Sequence, residues 1–552
     1  MHHVSNRSAE HRSAFGVRDI RLAGQCSAPL FMRRSAFLAF ILALMVSPSA
    51  LLAAEADTKK DDTKPEAGAE AKKDESKDMA VSKEERKKET KHSLTIGGQK
   101  VDYTATAGTV FLRDNKNEPT ASIFYIAYTR DGVEDRAQRP VTFSFNGGPG
   151  SSSVWLHMGL LGPKRVVLEE DGSPVPPPYR MVDNDYSLLD ETDLVFIDPV
   201  STGYSRATKP EDAKNFHSVD ADIRSVADFI RLYTTRHQRW TSPKFIIGES
   251  YGSTRAAGLS GELSNRHRMN VNGLMLVSTV LNFLTLRFAE GNDLPYVLFL
   301  PTYTATAWYH KQLPADLQGQ PLTNVLQQAE EFATGAYNQA LLLGDGLSAE
   351  RRQQIAADYA KFTGLSADFI ERSDLRVSIG EFTRELLRKE NKMVGRFDSR
   401  YTGYVRDRRG LGMEYDPSGE AIFSAYTSTF NHYVRGELGF ESDLSYEILT
   451  GDVQPWNWGQ GNSFVNVATT LADSLTKNPF LKIHVSNGYY DLATPYFATR
   501  WTFNHLGIDP TLLKNVTQDD YTAGHMMYLN LPDLKKQKED LAKFVKAAAG
   551  QR

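Results

Sequence analysis

Cysteine is almost missing: Cys26 is the only one among 552 residues. That excludes zinc ribbons, thiolate-held iron–sulfur clusters and any intramolecular disulfide. An excess of one charge is missing too, with 64 Lys and Arg set against 68 Asp and Glu, so no global basic field is available to hold nucleic acid. The apolar run from Ala36 to Val46 falls short of the roughly 20 residues that span a bilayer, so no stable membrane insertion is expected. Neither His-Glu-x-x-His nor a cluster of metal-ligand residues appears, so no metal and no cofactor is expected. What remains is 41% hydrophobic and 11% aromatic, enough for a sizeable core and too much for wholesale disorder. The length suits several domains or one large α/β enzyme with additions.

The chain opens with a polar, basic stretch, residues 1–31, without periodicity. Met32-Arg33-Arg34, the short apolar run, Pro48 and the small residues Ala50, Ala53, Ala54 and Ala56 then reproduce the parts of a secretory signal peptide over residues 32–56. An uncleaved anchor or a core helix is the alternative. This pattern predicts a true start at Met32, with 1–31 a mis-annotated extension, and a periplasmic or secreted mature protein without cysteine. More than half of residues 57–92 are charged and none is aromatic. Such a segment cannot offset its ordering entropy by burial, and it reads as a disordered linker.

Folded structure is expected from about Leu94. Val110–Leu112 and Ile123–Tyr128 read as antiparallel strands around the turn Asp114-Asn115-Lys116-Asn117. Val141–Phe145, Leu194–Ile197, Phe245–Ile247, Leu274–Val277 and Leu481–Val485 are short apolar runs bounded by turn residues, the pattern of buried strands. Ile223, Val226, Ala227, Ile230 and Tyr233 repeat at helical spacing between the second and third of these. Strand, helix, strand at this spacing predicts an α/β protein with a mostly parallel, mixed central sheet. Residues 93–285 and 471–552 are assigned to that core. Residues 286–470 break its rhythm and read as a mainly helical insertion, with helix starts at Ser348 and at Ser378, where Glu381 completes a capping box. Leu534–Ala548 reads as a closing helix.

The chemistry concentrates in three places. Gly248-Glu249-Ser250-Tyr251-Gly252 follows a strand and precedes small, helix-compatible residues, the setting in which Gly-x-Ser-x-Gly exposes a nucleophilic serine. A serine hydroxyl needs a base oriented by an acid. The chain order Ser, Asp, His is met by Ser250, by Asp491 just beyond a strand, and by His525 in a loop before the last helix. Asn146-Gly147-Gly148-Pro149-Gly150-Ser151-Ser152-Ser153, directly after Val141–Phe145, can bring a backbone N–H to a developing oxyanion; Tyr251, next to the nucleophile, supplies another. A phosphate loop is disfavoured because neither P-loop nor Gly-x-Gly-x-x-Gly spacing is present. His157, His310 and His484 read as structural, and Trp155, Trp308 and Tyr309 as pocket or packing residues.

Asn146–Ser153, Asp198-Pro199-Val200-Ser201-Thr202-Gly203-Tyr204-Ser205, Gly248–Gly252, Gly488–Asp491 and Gly524-His525-Met526 together resemble the serine carboxypeptidase family of α/β-hydrolases, in its bacterial secreted form. The resemblance implies an α/β-hydrolase fold and an exopeptidase that takes peptides and removes C-terminal residues. It implies Ser250 as nucleophile, His525 as base, Asp491 as its orienter, and the N–H groups of Gly148 and Tyr251 as the oxyanion hole. Asn146, Gly147, Glu249 and Met526 would contact substrate, Asn146 and Glu249 through its terminal carboxylate. A protonated Glu249 could donate to that carboxylate, so binding should strengthen toward acidic pH.

Three positions depart from the family pattern: Ser144 stands where many relatives carry Trp, Ser151 where they carry Cys, and Leu160 where they carry a second Glu. The last removes the carboxyl partner expected for Glu249 and leaves exopeptidase specificity open. An esterase, aminopeptidase or acyltransferase on the same scaffold is the alternative, and a non-catalytic binding protein a further one. The sequence does not decide the oligomeric state.

Overall fold

A computed structural model describes residues 82, 84–459 and 461–550. The expected extension, the signal segment from Met32, Cys26 and most of the expected linker lie outside the described residues. Nine named strands run along a ten-stranded sheet: β1 (Lys87–Ile96), β2 (Gln99–Arg113), β3 (Pro119–Arg130), β4 (Val141–Phe145), β5 (Asp193–Ile197), β6 (Lys244–Ser250), β7 (Gly273–Thr279), β8 (Lys482–Gly488) and β9 (Val516–Tyr521). Their order is β1-β2-β3-β5-β4-β6-β7-β8-β9, and Arg206–Ala207 pairs with β3. β1, β2, β3 and β5 pair antiparallel; β5-β4 and every pair beyond it are parallel.

The central strands are apolar throughout because both faces are covered. Phe143, Val195, Ile246, Leu274, Leu276, Ile483 and Val485 enter one cluster, while Leu194, Phe196, Phe245, Ile247, Met275 and Val277 enter the other. That split is the period-two alternation of a pleated strand. Helices α1 (Val219–Arg236), α2 (Tyr251–His267) and α3 (Ala468–Lys477) bury their apolar faces in the first cluster; α4 (Pro417–Gly436) and α5 (Leu531–Ala548) pack into the second. Ser218 caps α1 by accepting from the Ala221 N–H, which satisfies one of its unpaired first-turn donors.

Both edge strands escaped the sequence reading. The linker expected to run to His92 gives way to β1, whose residues Lys87 to Ile96 pair with Gly108 to Gln99 of β2. The structured part therefore begins earlier than Leu94. The reason is positional: an edge strand buries only alternate residues, here toward Leu94 and Ile96, and its lysines and glutamate remain in water. β9 is polar for the same reason, with Tyr521 its one buried residue.

The expected insertion, 286–470, also divides. Residues between Val297 and Val394 form a cluster of their own around Tyr303, Tyr337, Tyr359 and Phe382. Within it, Ser348 caps Ala349–Thr363, and Ser378 with Glu381 makes the capping box that was read from the sequence. α4, by contrast, packs on the sheet, and Val453, Trp456, Val465 and Val467 join the first cluster. The insertion is thus a helical body followed by segments that return to the core.

Candidate active site

β6 ends on Ser250, which stands at φ 60° and ψ −129° as the residue before α2. This left-handed turn between strand and helix costs conformational energy and lifts the serine out of the sheet edge. Ser250 is the partly exposed end of a strand that is otherwise buried. The loop after β4 lies against the elbow so closely that a Cβ on Gly147 would sit 2.5 Å from the Tyr251 nitrogen and 2.8 Å from the Glu249 carbonyl oxygen. Only glycine permits that approach. Tyr251 opens α2, so its N–H has no acceptor within the helix.

The loop is held from both ends. The Arg255 guanidinium, paired with Asp222 at 2.7 Å, donates to the Asn146 carbonyl at 2.6 Å. At the far end Asp198 accepts from the Ser153 N–H and hydroxyl, each at 2.9 Å. Burial pushes the Asp198 carboxyl up to about 6 despite these donors. This gives the Asp198–Ser205 segment a structural task behind the loop.

His525 and Asp491 arrive from loops beyond the parallel strands. His525 Nδ1 lies 2.8 Å from Asp491 Oδ2, and both side chains are buried. Asp491 also accepts from the Ala493 N–H at 2.7 Å, the Thr494 N–H at 2.9 Å and the Thr494 hydroxyl at 2.7 Å. Burial works against an imidazolium at His525, but the Asp491 charge and hydrogen bond, with Glu249 beyond, hold its pKa above the ordinary histidine value. The imidazole stacks on Phe397, with ring centroids 5.3 Å apart. Its backbone is tied down by Phe397, whose carbonyl accepts from the His525 N–H at 2.6 Å, and by the Ser278 hydroxyl, which donates to the His525 carbonyl at 2.5 Å. Asp398 accepts from the Gly524 N–H at 2.9 Å and pairs with Arg400 at 2.7 Å.

These groups meet in one pocket of about 210 Å³. Asn146, Gly147, Gly148, Glu249, Ser250, His525 and Met526 all line it, together with apolar walls from Trp155, Ile422, Phe423 and Leu449 and the cation of Arg396. Asp491 and the Tyr251 side chain stand behind that surface; the Tyr251 hydroxyl donates to Asp222. Glu249 accepts from Asn146 Nδ2 at 2.9 Å and from the Tyr528 hydroxyl at 2.6 Å. Burial pushes its carboxyl up to about 7, against the lowering effect of His525 and of both donors. Trp155 lines the pocket as anticipated. Trp308 does not, and Tyr309 lines a different cavity beside Arg400 and Tyr404.

The sequence reading missed Thr494, Phe397, Asp398, Arg396 and Tyr528. Asp491-x-x-Thr494 carried a signal, since an Asp accepting from the N–H groups two and three residues on is an Asx-type turn. The residues from 396 to 398 carried none, because they lie about ninety positions from the nearest catalytic motif, Gly488–Asp491. Leu160 is buried in the second apolar cluster. An alcohol, an imidazole–carboxylate pair and free amide donors together have the chemistry that acyl transfer needs.

A sequence model of the serine carboxypeptidase family matches residues 97–539. Carboxypeptidase Y homolog A of Talaromyces stipitatus is 27% identical over 164 residues, covering 29% of this chain and 26% of that protein. Serine carboxypeptidase-like 33 of Arabidopsis thaliana is 30% identical over 156 residues, covering 28% of this chain and 30% of its own length. The chain thus spans less than a third of either relative in these matches. The crystal structure of KEX1(delta)P, a prohormone-processing carboxypeptidase from Saccharomyces cerevisiae, superimposes with a TM-score of 0.52 at 19% identity, covering 81% of this chain and 91% of that one. That likeness establishes the α/β-hydrolase fold. With most of its length matched by the family and the sheet order described above, this chain belongs to the serine carboxypeptidase family.

Proposed function

We propose that the protein is an active serine carboxypeptidase that hydrolyses C-terminal residues from peptides through an acyl-enzyme. The observation that carries the reading is that Ser250, His525 and the hydrogen-bonded Asn146–Glu249 pair line one pocket. Because Nδ1 of His525 donates to Asp491, its Nε2 is left as the base. The Ser250 oxygen attacks the last peptide carbonyl carbon as Nε2 takes the hydroxyl proton. The N–H groups of Gly148 and Tyr251 receive the oxyanion. The C–N bond then breaks, the imidazolium returns its proton to the leaving amine, and water repeats the sequence on the ester to release the shortened peptide.

The terminal carboxylate would be met by Asn146 and by a protonated Glu249. Two carboxylates would repel; one carboxylate and one neutral acid form a hydrogen bond. An N-blocked dipeptide, its C-terminal amide and a p-nitrophenyl ester test this directly. Preference for the free acid below about pH 7, lost above it, supports the reading; equal turnover of acid and amide favours an esterase or other acyl transferase. Failure of a fluorophosphonate to label Ser250 would leave a binding protein instead. We also propose export directed by the segment from Met32, which a mature N-terminus mapped upstream of Met32 would overturn.

A further inference from the structure

We propose that Tyr528 is the positioning residue of the terminal-carboxylate site, its phenol holding one oxygen of Glu249 so that the other meets the substrate. The inference rests on the carboxypeptidase reading above. Tyr528 lies in the turn Met527–Leu529, directly after His525-Met526, and is 2% exposed. It is absent from the surface of the Ser250 pocket and instead walls a separate cavity of about 270 Å³ with Gly159 and Tyr426. It therefore reaches Glu249 from behind, where substrate does not come.

The packing is built for this ring. A Cβ on Gly159 would sit 2.4 Å from Cε2 of Tyr528, so the phenol occupies the space a side chain there would take. Leu160, next to that glycine, has its side chain buried among apolar neighbours, where it can offer Glu249 no hydrogen bond; only its backbone carbonyl is engaged, accepting from Asn184. The donor to Glu249 comes instead from Tyr528, which stays a donor across the working pH range because burial holds the phenol far above its ordinary titration.

The chemistry differs from a pair of acids. Tyr528 donates to Oε2 of Glu249, which leaves Oε1, the oxygen beside Asn146 Nδ2, to carry the proton when Glu249 is neutral. The groups that act on Glu249 are His525, Tyr528 and Asn146, which favour its ionised form, and Asp491, which opposes it; the neutral Tyr426 hydroxyl is nearby. Removing the phenol donor therefore has two separable effects. The carboxyl loses its fixed orientation, which weakens binding, and its titration moves to higher pH, which widens the range over which binding persists.

The test is Tyr528→Phe, with KM and kcat measured from pH 5 to 9 on an N-blocked dipeptide and its C-terminal amide. At pH 5, where Glu249 is neutral, KM for the free acid should rise roughly 3- to 10-fold, the worth of one hydrogen bond between neutral groups, with kcat within about 2-fold of wild type. The pH at which that KM begins to climb should move up by about half a unit or more, and KM for the amide should not change. An equal change for acid and amide, or a stationary midpoint, would make Tyr528 a packing residue only and overturn the proposal. If wild type itself shows no preference for the free acid, the carboxypeptidase reading fails instead, a different outcome. Fluorophosphonate labelling of Ser250 at the wild-type rate certifies the variant's fold. Should Tyr528→Phe not label, Gly159→Ala, which displaces the ring while keeping the phenol, takes its place with the same expected signature.

Discussion

The two walls of the pocket were built differently. The wall on the sheet edge carries Asn146, Gly147, Gly148, Glu249 and Ser250 on turns that leave β4 and β6, strands locked on both sides by hydrogen bonds and buried on both faces. The opposite wall carries Arg396, Phe397, Ile422 and Phe423 on segments of the insertion, held by side-chain contacts such as the Asp398–Arg400 pair and the Phe397 stack on His525. A hydrogen-bonded sheet tolerates little displacement, so the edge suits groups that must be placed within tenths of an ångström. The insertion suits groups that shape and orient. The contrast teaches that losses on the first wall should abolish chemistry and losses on the second should tune it.

The largest expected effect is on the sheet edge. Ser250→Ala should lower kcat/KM by about 10⁴-fold or more while the protein remains folded by circular dichroism, since oxyanion donors alone leave a small residual rate. Loss of only tenfold would show that another nucleophile operates.

Glu249→Gln probes the cost of placing an acid there. Glu249 titrates near 7 in the folded protein against 4.5 ordinarily, so the fold keeps a proton that the unfolded chain has already released. Stability therefore falls as pH rises from about 4.5 to 7 and stays at the lower level above. Denaturant unfolding at pH 4 and pH 8 should show the wild type losing about 3 kcal/mol between them relative to the Gln variant. A pH-independent difference would contradict the burial effect.

On the insertion wall, Phe397→Ala should lower kcat by roughly tenfold, the worth of one aromatic stack that holds the imidazole, and leave KM for the peptide nearly unchanged. A loss as large as that of Ser250→Ala would erase the distinction between the walls. The smallest effect belongs to Arg396→Gln. Arg396 opposes an imidazolium at His525, so its removal should move the acid limb of kcat/KM to higher pH by a few tenths of a unit, an effect that fades in high salt because Arg396 is exposed. Steady-state profiles at two ionic strengths would measure it.

What was legible in the chain follows the same division. The buried strands announced themselves because a segment covered on both faces must be apolar, and Gly248–Gly252 and Asn146–Ser153 because close backbone approach demands glycine. β1 and β9 were hidden, since an edge in water needs no such composition. Phe397 and Tyr528 were hidden for another reason: a phenylalanine that stacks on a distant imidazole and a tyrosine that reaches a distant carboxyl look like any other aromatic residue.

By itself, then, the order of residues determined the parallel core, the strained serine elbow and the succession Ser250, Asp491, His525, because each rests on local backbone chemistry or on strand burial. Only the tertiary structure decided that Phe397 and Asp398 hold the histidine loop and that Tyr528, not a second acid, faces Glu249. Those are contacts between segments far apart in the chain, and the packing that brings them within hydrogen-bond reach has no local signature to read.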